Sequence, residues 1–274
     1  MLKISSLIMT ISVLSFSVIA NPESQKYLGF NYPHKAQNAV SITFDDARHS
    51  QVDVGAAILN RYQVKATFYV SPFNVKQRLT QWQDAVKSGH EIANHTSSHV
   101  CTGNFEWLRA QDLSLEHITL KWLENDILSA QQYLKDHLGV TPRAFAYPCG
   151  NTFVGRGIDT KSYVPLIAKH FDSGRTWLDE SANNPNFTDF AQLTGLRIDG
   201  MSFDEIITML DQLRENNAWL ILAGHEIGNG DQYTTDAKVL EQLLVYLKDP
   251  ANGYWLDTVS NVSDYVRQQR KPLN

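Results

Sequence analysis

Short apolar runs rich in β-branched residues alternate with longer runs of helical spacing about seven times along this chain, and no other feature limits its fold as strongly. The runs that read as strands are residues 39–44, 65–70, 90–95, 144–146, 171–173, 193–198, 218–223 and 254–258. Helical spacing is predicted over 51–62, 77–88, 119–138, 162–170, 202–216, 236–248 and 259–269. The clearest of these carries Leu120, Leu123, Ile127, Ala130, Leu134 and Leu138 on one stripe and stops at Gly139. Residues 218–223, Ala-Trp-Leu-Ile-Leu-Ala, are apolar throughout, as a strand buried on both faces must be. Strand–helix alternation implies a parallel sheet, and 274 residues are enough to curl it into a closed or nearly closed α/β barrel. No repeat or linker divides residues 39–274, so a single domain is expected there.

Composition narrows the function. A formal net charge of -5 argues against nucleic acid or an anionic membrane surface as the main partner. Residues 1–20 differ from the rest: Lys3 precedes an apolar run over 7–19, and Val18 and Ala20 suit the −3 and −1 positions of a cleavage site. A secretory signal peptide is predicted, and with it a periplasmic or secreted protein. A retained membrane anchor is the alternative, but the apolar core is short for a span of roughly 20 residues. No other segment of the sequence suits a membrane span. Residues 21–38 read as a leader packed on the domain. Export puts Cys101 and Cys149 in an oxidising compartment, where an even pair can form a disulfide; two buried free thiols are the other reading.

The first strand runs into Asp45-Asp46. Adjacent carboxylates oppose each other's ionisation, and a cation would relieve that. Successive strand residues face opposite sides, so the two acids can serve different partners. In barrels of this kind the chemistry gathers at the carboxyl ends of the strands. Polar clusters follow five of the predicted strands: Asp45-Asp46, His95-Thr-Ser-Ser-His99, residues 143–150, residues 172–177 and Gly224-His225.

His95 and His99 would face one side within a helical turn. The glutamate of the zinc-protease His-Glu-x-x-His motif is missing between them. Two imidazoles with one carboxylate and an open position suit a borderline divalent ion such as zinc, with cobalt or nickel as alternatives. Arg143 can form a bidentate pair with an active-site carboxylate, or a surface salt bridge. The turn at Pro148 and Gly150 can offer a backbone N–H to an oxyanion. His225 can act as a general acid near neutral pH or sit as a satisfied core histidine. Trp177 suits the apolar face of a sugar, or the core.

Taken in order, these clusters resemble the motifs of the polysaccharide deacetylase (NodB-homology) superfamily, carbohydrate esterase family 4. Thr-Phe-Asp-Asp and His-Thr-x-x-His are specific together, and Gly89-His90-Glu91-Ile92-Ala93-Asn94 leads into the second as it does in the family. The resemblance covers residues 39–257 and implies a distorted (β/α)7-8 barrel that hydrolyses N- or O-linked acetyl groups from a glycan. It implies that Asp45 is the general base, that Asp46, His95 and His99 hold the metal, and that Arg143 orients Asp45. It further implies an oxyanion donor in the backbone at Tyr147, a pocket wall at Trp177 and a general acid in His225. Two departures stand out. The aspartate that tunes the acid histidine is expected before Trp177, but Asp172 lies one residue too far, which leaves Asp199 as a rival. Arg175 is an extra charge near the pocket, suited to an acidic sugar. Cys101 and Cys149 fall beside the second and third motifs, where a disulfide would brace the two loops. The alternatives are an amidase of the same superfamily acting on small imides, which would not be exported, and a non-catalytic carbohydrate-binding relative, which would need no general base. A structural metal site is least suited, because such sites are closed by four protein ligands.

Overall fold

A computed structural model describes residues 29–215, 217–230 and 232–270. The predicted signal segment, 1–20, lies outside these residues, as do 21–28 of the predicted leader. Strand β1 (Asn38–Asp45) is buried along its whole length. The chain continues through a π-type turn, Gln51–Gly55, into α1 (Ala56–Arg61), β2 (Thr67–Val70), α2 (Pro72–Gln77), α3 (Leu79–Lys87), β3 (Glu91–Asn94), α4 (Glu106–Arg109) and α5 (Leu120–Leu138). It then forms β4 (Ala144–Ala146), the hairpin of β5 (Phe153–Val154) and β6 (Lys161–Ser162), α6 (Val164–His170), β7 (Ser173–Arg175) and β8 (Leu196–Arg197). It ends with α7 (Phe203–Leu213), β9 (Trp219–Gly224), the small pair β10 (Glu226–Gly228) and β11 (Thr234–Asp236), α8 (Ala237–Lys248), β12 (Tyr254–Leu256) and α9 (Val259–Gln269).

Eight strands form one parallel sheet in the order β7-β4-β3-β2-β1-β9-β8, with β12 beside the start of β1. The edges nearly meet. Leu193 bridges Arg175 of β7, and three residues later Leu196 pairs with Leu222 of β9. One short segment thus runs from a bridge on edge strand β7 into the other edge strand, β8, and curls the sheet into the expected barrel-like form. Alternation along β1 makes two layers. Val40, Ile42 and Phe44 join Phe68, Leu220, Leu222 and the apolar stripes of the surrounding helices. Ser41, Thr43 and Asp45 face inward, where Tyr69, Ala93, Ala144 and Ala146 keep the interior narrow. At one end Phe30 and Tyr32, ahead of β1, pack on Trp255 and Tyr265.

Some boundaries differ from the periodicity. The 51–62 helix divides into a π-type turn and α1, and the 77–88 helix begins at Leu79 because Arg78 leaves helical geometry (φ -136°). The 171–173 strand is displaced to 173–175. The Phe171 N–H closes the last turn of α6 on Ile167 O, and the Asp172 N–H donates to Arg143 O, so pairing with β4 starts at Ser173. Cys101 and Cys149 form a disulfide with Cα atoms 5.9 Å apart. Among the described residues no helix is long and apolar enough to cross a membrane.

Candidate active site

The carboxyl ends of β1, β3, β4, β7, β8 and β9 surround an open cleft of about 930 Å³. The two aspartates at the end of β1 part company there. Asp45 completes the strand and faces inward, and its Oδ1 accepts a hydrogen bond from Arg175 Nη2; both side chains are buried. Arg175 also lies over the Tyr69 ring, 4.8 Å from its centroid. Burial works against its charge, but Asp45 and Tyr69 together outweigh burial and raise its pKa. Asp46 turns away at φ 76°, a left-handed conformation that Asp tolerates better than most residues. Its Oδ2 accepts from Arg48 at 2.9–3.0 Å. The fully buried Gln51 donates Nε2 to the backbone oxygens of Asp45 (2.5 Å) and His225 (2.9 Å), tying the ends of β1 and β9 together.

Asp46 Oδ1 faces two imidazoles: His95 Nε2 at 3.4 Å and His99 Nε2 at 3.2 Å. One ligand atom from each of the three residues lies within 4.8 Å of the others. His95 Nδ1 sits 2.9 Å from the oxygen of Ala146, an acceptor, so that nitrogen carries the proton and Nε2 presents a lone pair. Asp46 Oδ1 is buried without a hydrogen-bond partner among the described residues. Lone pairs gathered on a buried carboxylate oxygen call for a cation between them, and the donor set of two nitrogens and one oxygen fits a divalent ion. Burial raises the Asp46 pKa, but the two histidines more than offset it and hold the carboxyl well below its usual range. The histidines do not converge through a helical turn. Thr96 (φ 64°) and His99 (φ 46°) fold the chain back instead. That turn is held from outside: Asn94 Oδ1 accepts from the Thr96 N–H, and Asp126 on α5 accepts from the Ser97 and Ser98 N–H groups and from Ser98 Oγ.

Across the cleft, His225 Nδ1 lies 2.7 Å from Oδ2 of the fully buried Asp199. The other oxygen of Asp199 accepts from the His225 N–H (3.1 Å) and Thr235 Oγ1 (2.7 Å). Gly224 makes this approach feasible, because a Cβ there would stand 2.8 Å from Asp199 Oδ1 and 2.5 Å from Thr235 Oγ1. Burial lowers the His225 pKa, but Asp199, then Asp45 and Asp46, outweigh it and raise the value above 6.5. Trp177 meets the His225 ring edge-on at 4.8 Å, and its backbone packs on Gly150, where a Cβ would be 3.1 Å from Trp177 N and O. In the Tyr147–Gly150 turn the Tyr147 N–H donates to Arg175 O (2.9 Å) and the Gly150 N–H to Tyr147 O (2.8 Å). Pro148 has no N–H. Cys149, which lines the cleft at φ 55°, is the turn residue whose N–H finds no acceptor among the described residues.

Three expectations need correction. Arg143 does not reach Asp45; it is half-exposed and pairs with Asp172 (2.6 Å) and Asp264 (2.7 Å). Because β4 starts only at Ala144, Arg143 lies before the strand that would have carried it inward. Arg175, in register with Ala146 of β4, takes the place beside Asp45 and is therefore not free to meet an acidic sugar. Tyr147 offers the cleft no oxyanion donor: its N–H donates to Arg175 O, its ring is buried and its hydroxyl donates to Ala191 O at 2.7 Å. Of the two aspartates left open for His225, Asp199 holds the imidazole and Asp172 pairs with Arg143. Sequence reasoning missed Gln51 and Asp126. Asp126 had a signal, since it stands next to Ile127 on the buried stripe of α5. Gln51 had none.

Residues 33–156 match the model of the polysaccharide deacetylase family. That span holds Asp45, Asp46, His95, His99 and Cys149, whereas Arg175, Asp199 and His225 lie beyond it. A peptidoglycan-N-acetylglucosamine deacetylase of Bacillus cereus is 28% identical over 158 residues, 57% of this chain and 67% of that protein. A deacetylase of the same description from Listeria monocytogenes is 26% identical over 140 residues, 51% of this chain but only 27% of its own length. The solved structure of a Bacillus subtilis peptidoglycan deacetylase shares the fold, with a TM-score of 0.52 at 20% identity over 85% of this chain and 93% of that one. Through residues 33–156, just under half of its length, the chain is similar to the polysaccharide deacetylase (NodB-homology) superfamily.

Proposed function

We propose that this protein is an exported, metal-dependent deacetylase that hydrolyses acetyl groups from a glycan. The observation that carries the reading is the meeting of three arrangements in one cleft: the buried Asp45–Arg175 pair, the Asp46–His95–His99 cluster and the Asp199–His225 pair. Asp46, His95 and His99 would hold a divalent ion, zinc by its preference for such donors. That ion supplies Lewis acidity, which polarises the acetyl carbonyl and makes water nucleophilic near neutral pH. Asp45, held in place by Arg175, accepts the proton of the attacking water. The Cys149 N–H donates to the oxyanion of the tetrahedral intermediate. His225, held in one tautomer by Asp199, gives its proton to the departing amine or alkoxide. Trp177 walls the space for the acetyl methyl. Exposed rings at the cleft mouth, Phe73, Phe105, Trp107 and Tyr233, suit the apolar faces of sugars. The relatives described as peptidoglycan-N-acetylglucosamine deacetylases favour an N-acetylated substrate outside the cytoplasm.

Acetate release from chitin oligomers, peptidoglycan glycan, an exopolysaccharide and O-acetylated xylan, with and without chelator, tests the proposal. Release from at least one, abolished by chelator and restored by zinc, cobalt or nickel, is expected. Asp45→Asn should keep the metal and lose turnover by at least about 100-fold. A metal-loaded protein that releases acetate from none of them, or an Asp45→Asn variant at full rate, would sink the assignment.

A further inference from the structure

We infer that the cleft selects glycans bearing a carboxylate, and that Arg197 is the residue that recognises it. The inference rests on the deacetylase reading and names its substrate class. Among the described residues two carboxylates line the cleft, Asp45 and Asp46, and each has its own guanidinium: Arg175 for the first and Arg48 for the second. Arg197 also lines the cleft, and no carboxylate or hydrogen-bond acceptor among the described residues engages it. It is the cation left over once the site's own acids are matched.

Its placement is set by the strand that closes the barrel. On β8, Leu196 is buried in the outer core and Ile198, the next residue after the strand, is buried with it, so Arg197 and Asp199 rise on the opposite, cleft-facing side. Arg197 is in register with Ala223, two residues before His225, and Asp199 is the partner of His225 itself. Arg197 therefore shares a wall with the candidate general acid, and Gln232 and Tyr233 continue that wall. A guanidinium presents a planar fork that matches a carboxylate bidentately, whereas a neutral sugar hydroxyl uses little of it. An exposed arginine on a convex surface would be ordinary solvation. In a concave site where no described acid matches it, it concentrates anions.

The carboxylate could belong to a uronate or to a lactyl ether on an amino sugar, and the test separates these sources. Acetylated oligosaccharides containing uronate, the lactyl-ether glycan of peptidoglycan stripped of peptides, and the methyl ester of each are compared in wild type, Arg197→Gln and Arg197→Lys. Acetate release gives kcat/KM, and calorimetry gives binding. Wild type should favour one acid over its own ester by roughly tenfold. Arg197→Gln should bring that ratio to about one. Arg197→Lys should retain part of it, because the charge stays and the fork is lost. The acid that shows the preference identifies the source. Equal treatment of acid and ester by wild type, or a ratio unchanged in Arg197→Gln, overturns the inference while leaving a deacetylase. If no glycan releases acetate, an acid-over-ester binding preference lost in Arg197→Gln upholds the recognition while the catalytic reading fails.

Discussion

Two arginines and two aspartates carry the main lesson at the scale of single residues. Arg175 and Asp45 are both buried, so removing the guanidinium leaves the Asp45 carboxylate without the partner that offsets its burial. Arg175→Ala should cost about 3–5 kcal/mol of stability. Arg143→Ala removes only a half-exposed pair of bridges, worth about 1 kcal/mol or less, and should leave turnover near wild type. Thermal unfolding and acetate release on both variants check this; equal effects would mean that Arg175 is not the partner Asp45 needs. The second pair predicts a pH profile. His225 has a raised pKa, so its protonated form persists above the usual value of about 6.5 and is lost as pH rises through the higher one. A step that needs the imidazolium therefore fails on the alkaline side. Asp199→Asn should shift that alkaline limb of the kcat profile to lower pH. An unmoved limb would remove His225 from the acid role.

At the scale of elements, rigid strands deliver the side chains and short loops aim them. Four of the residues that aim the site, Asp46, Thr96, His99 and Cys149, have positive φ without being glycine. Such conformations cost of order 1–3 kcal/mol each and persist where the surroundings impose them. The Cys101–Cys149 disulfide is one such restraint. It joins the segment just after His99 to the turn that presents the Cys149 N–H. Replacing both cysteines by serine should lower stability by about 2–5 kcal/mol. It should also reduce turnover of the folded protein, measured well below its new melting temperature. Intact-mass analysis should find two alkylatable thiols only after reduction, and thiols titratable without reductant would reject the bridge.

At the scale of the whole molecule, the proposed metal ligands come from the ends of two different strands, β1 and β3, so an ion there cross-links the sheet. An ion that binds only the folded protein stabilises it by mass action, about 2.7 kcal/mol when free metal is 100 times its dissociation constant. Chelation should lower the melting temperature and added zinc should restore it. A melting temperature indifferent to both would speak against a bound ion.

The sequence alone determined what is local. The alternation of strand and helix identified a parallel, curled α/β sheet, because periodicity is a property of neighbouring residues. Asp45-Asp46 and His95…His99 were legible because the grouping is written within five residues or fewer. Only the tertiary structure decided which arginine meets Asp45, which aspartate meets His225 and which N–H is left free. Those choices join residues 130 and 26 positions apart, and they turn on where strands of two or three residues begin. The start of β7 was fixed by a hydrogen bond closing the helix before it, and the start of β4 left Arg143 outside the barrel. A boundary set by long-range hydrogen bonding has no counterpart in the pattern of a single strand, so the two acids at the end of β1 and the histidines that meet Asp46 could be recognised in the sequence, but the arginine that meets Asp45 could not.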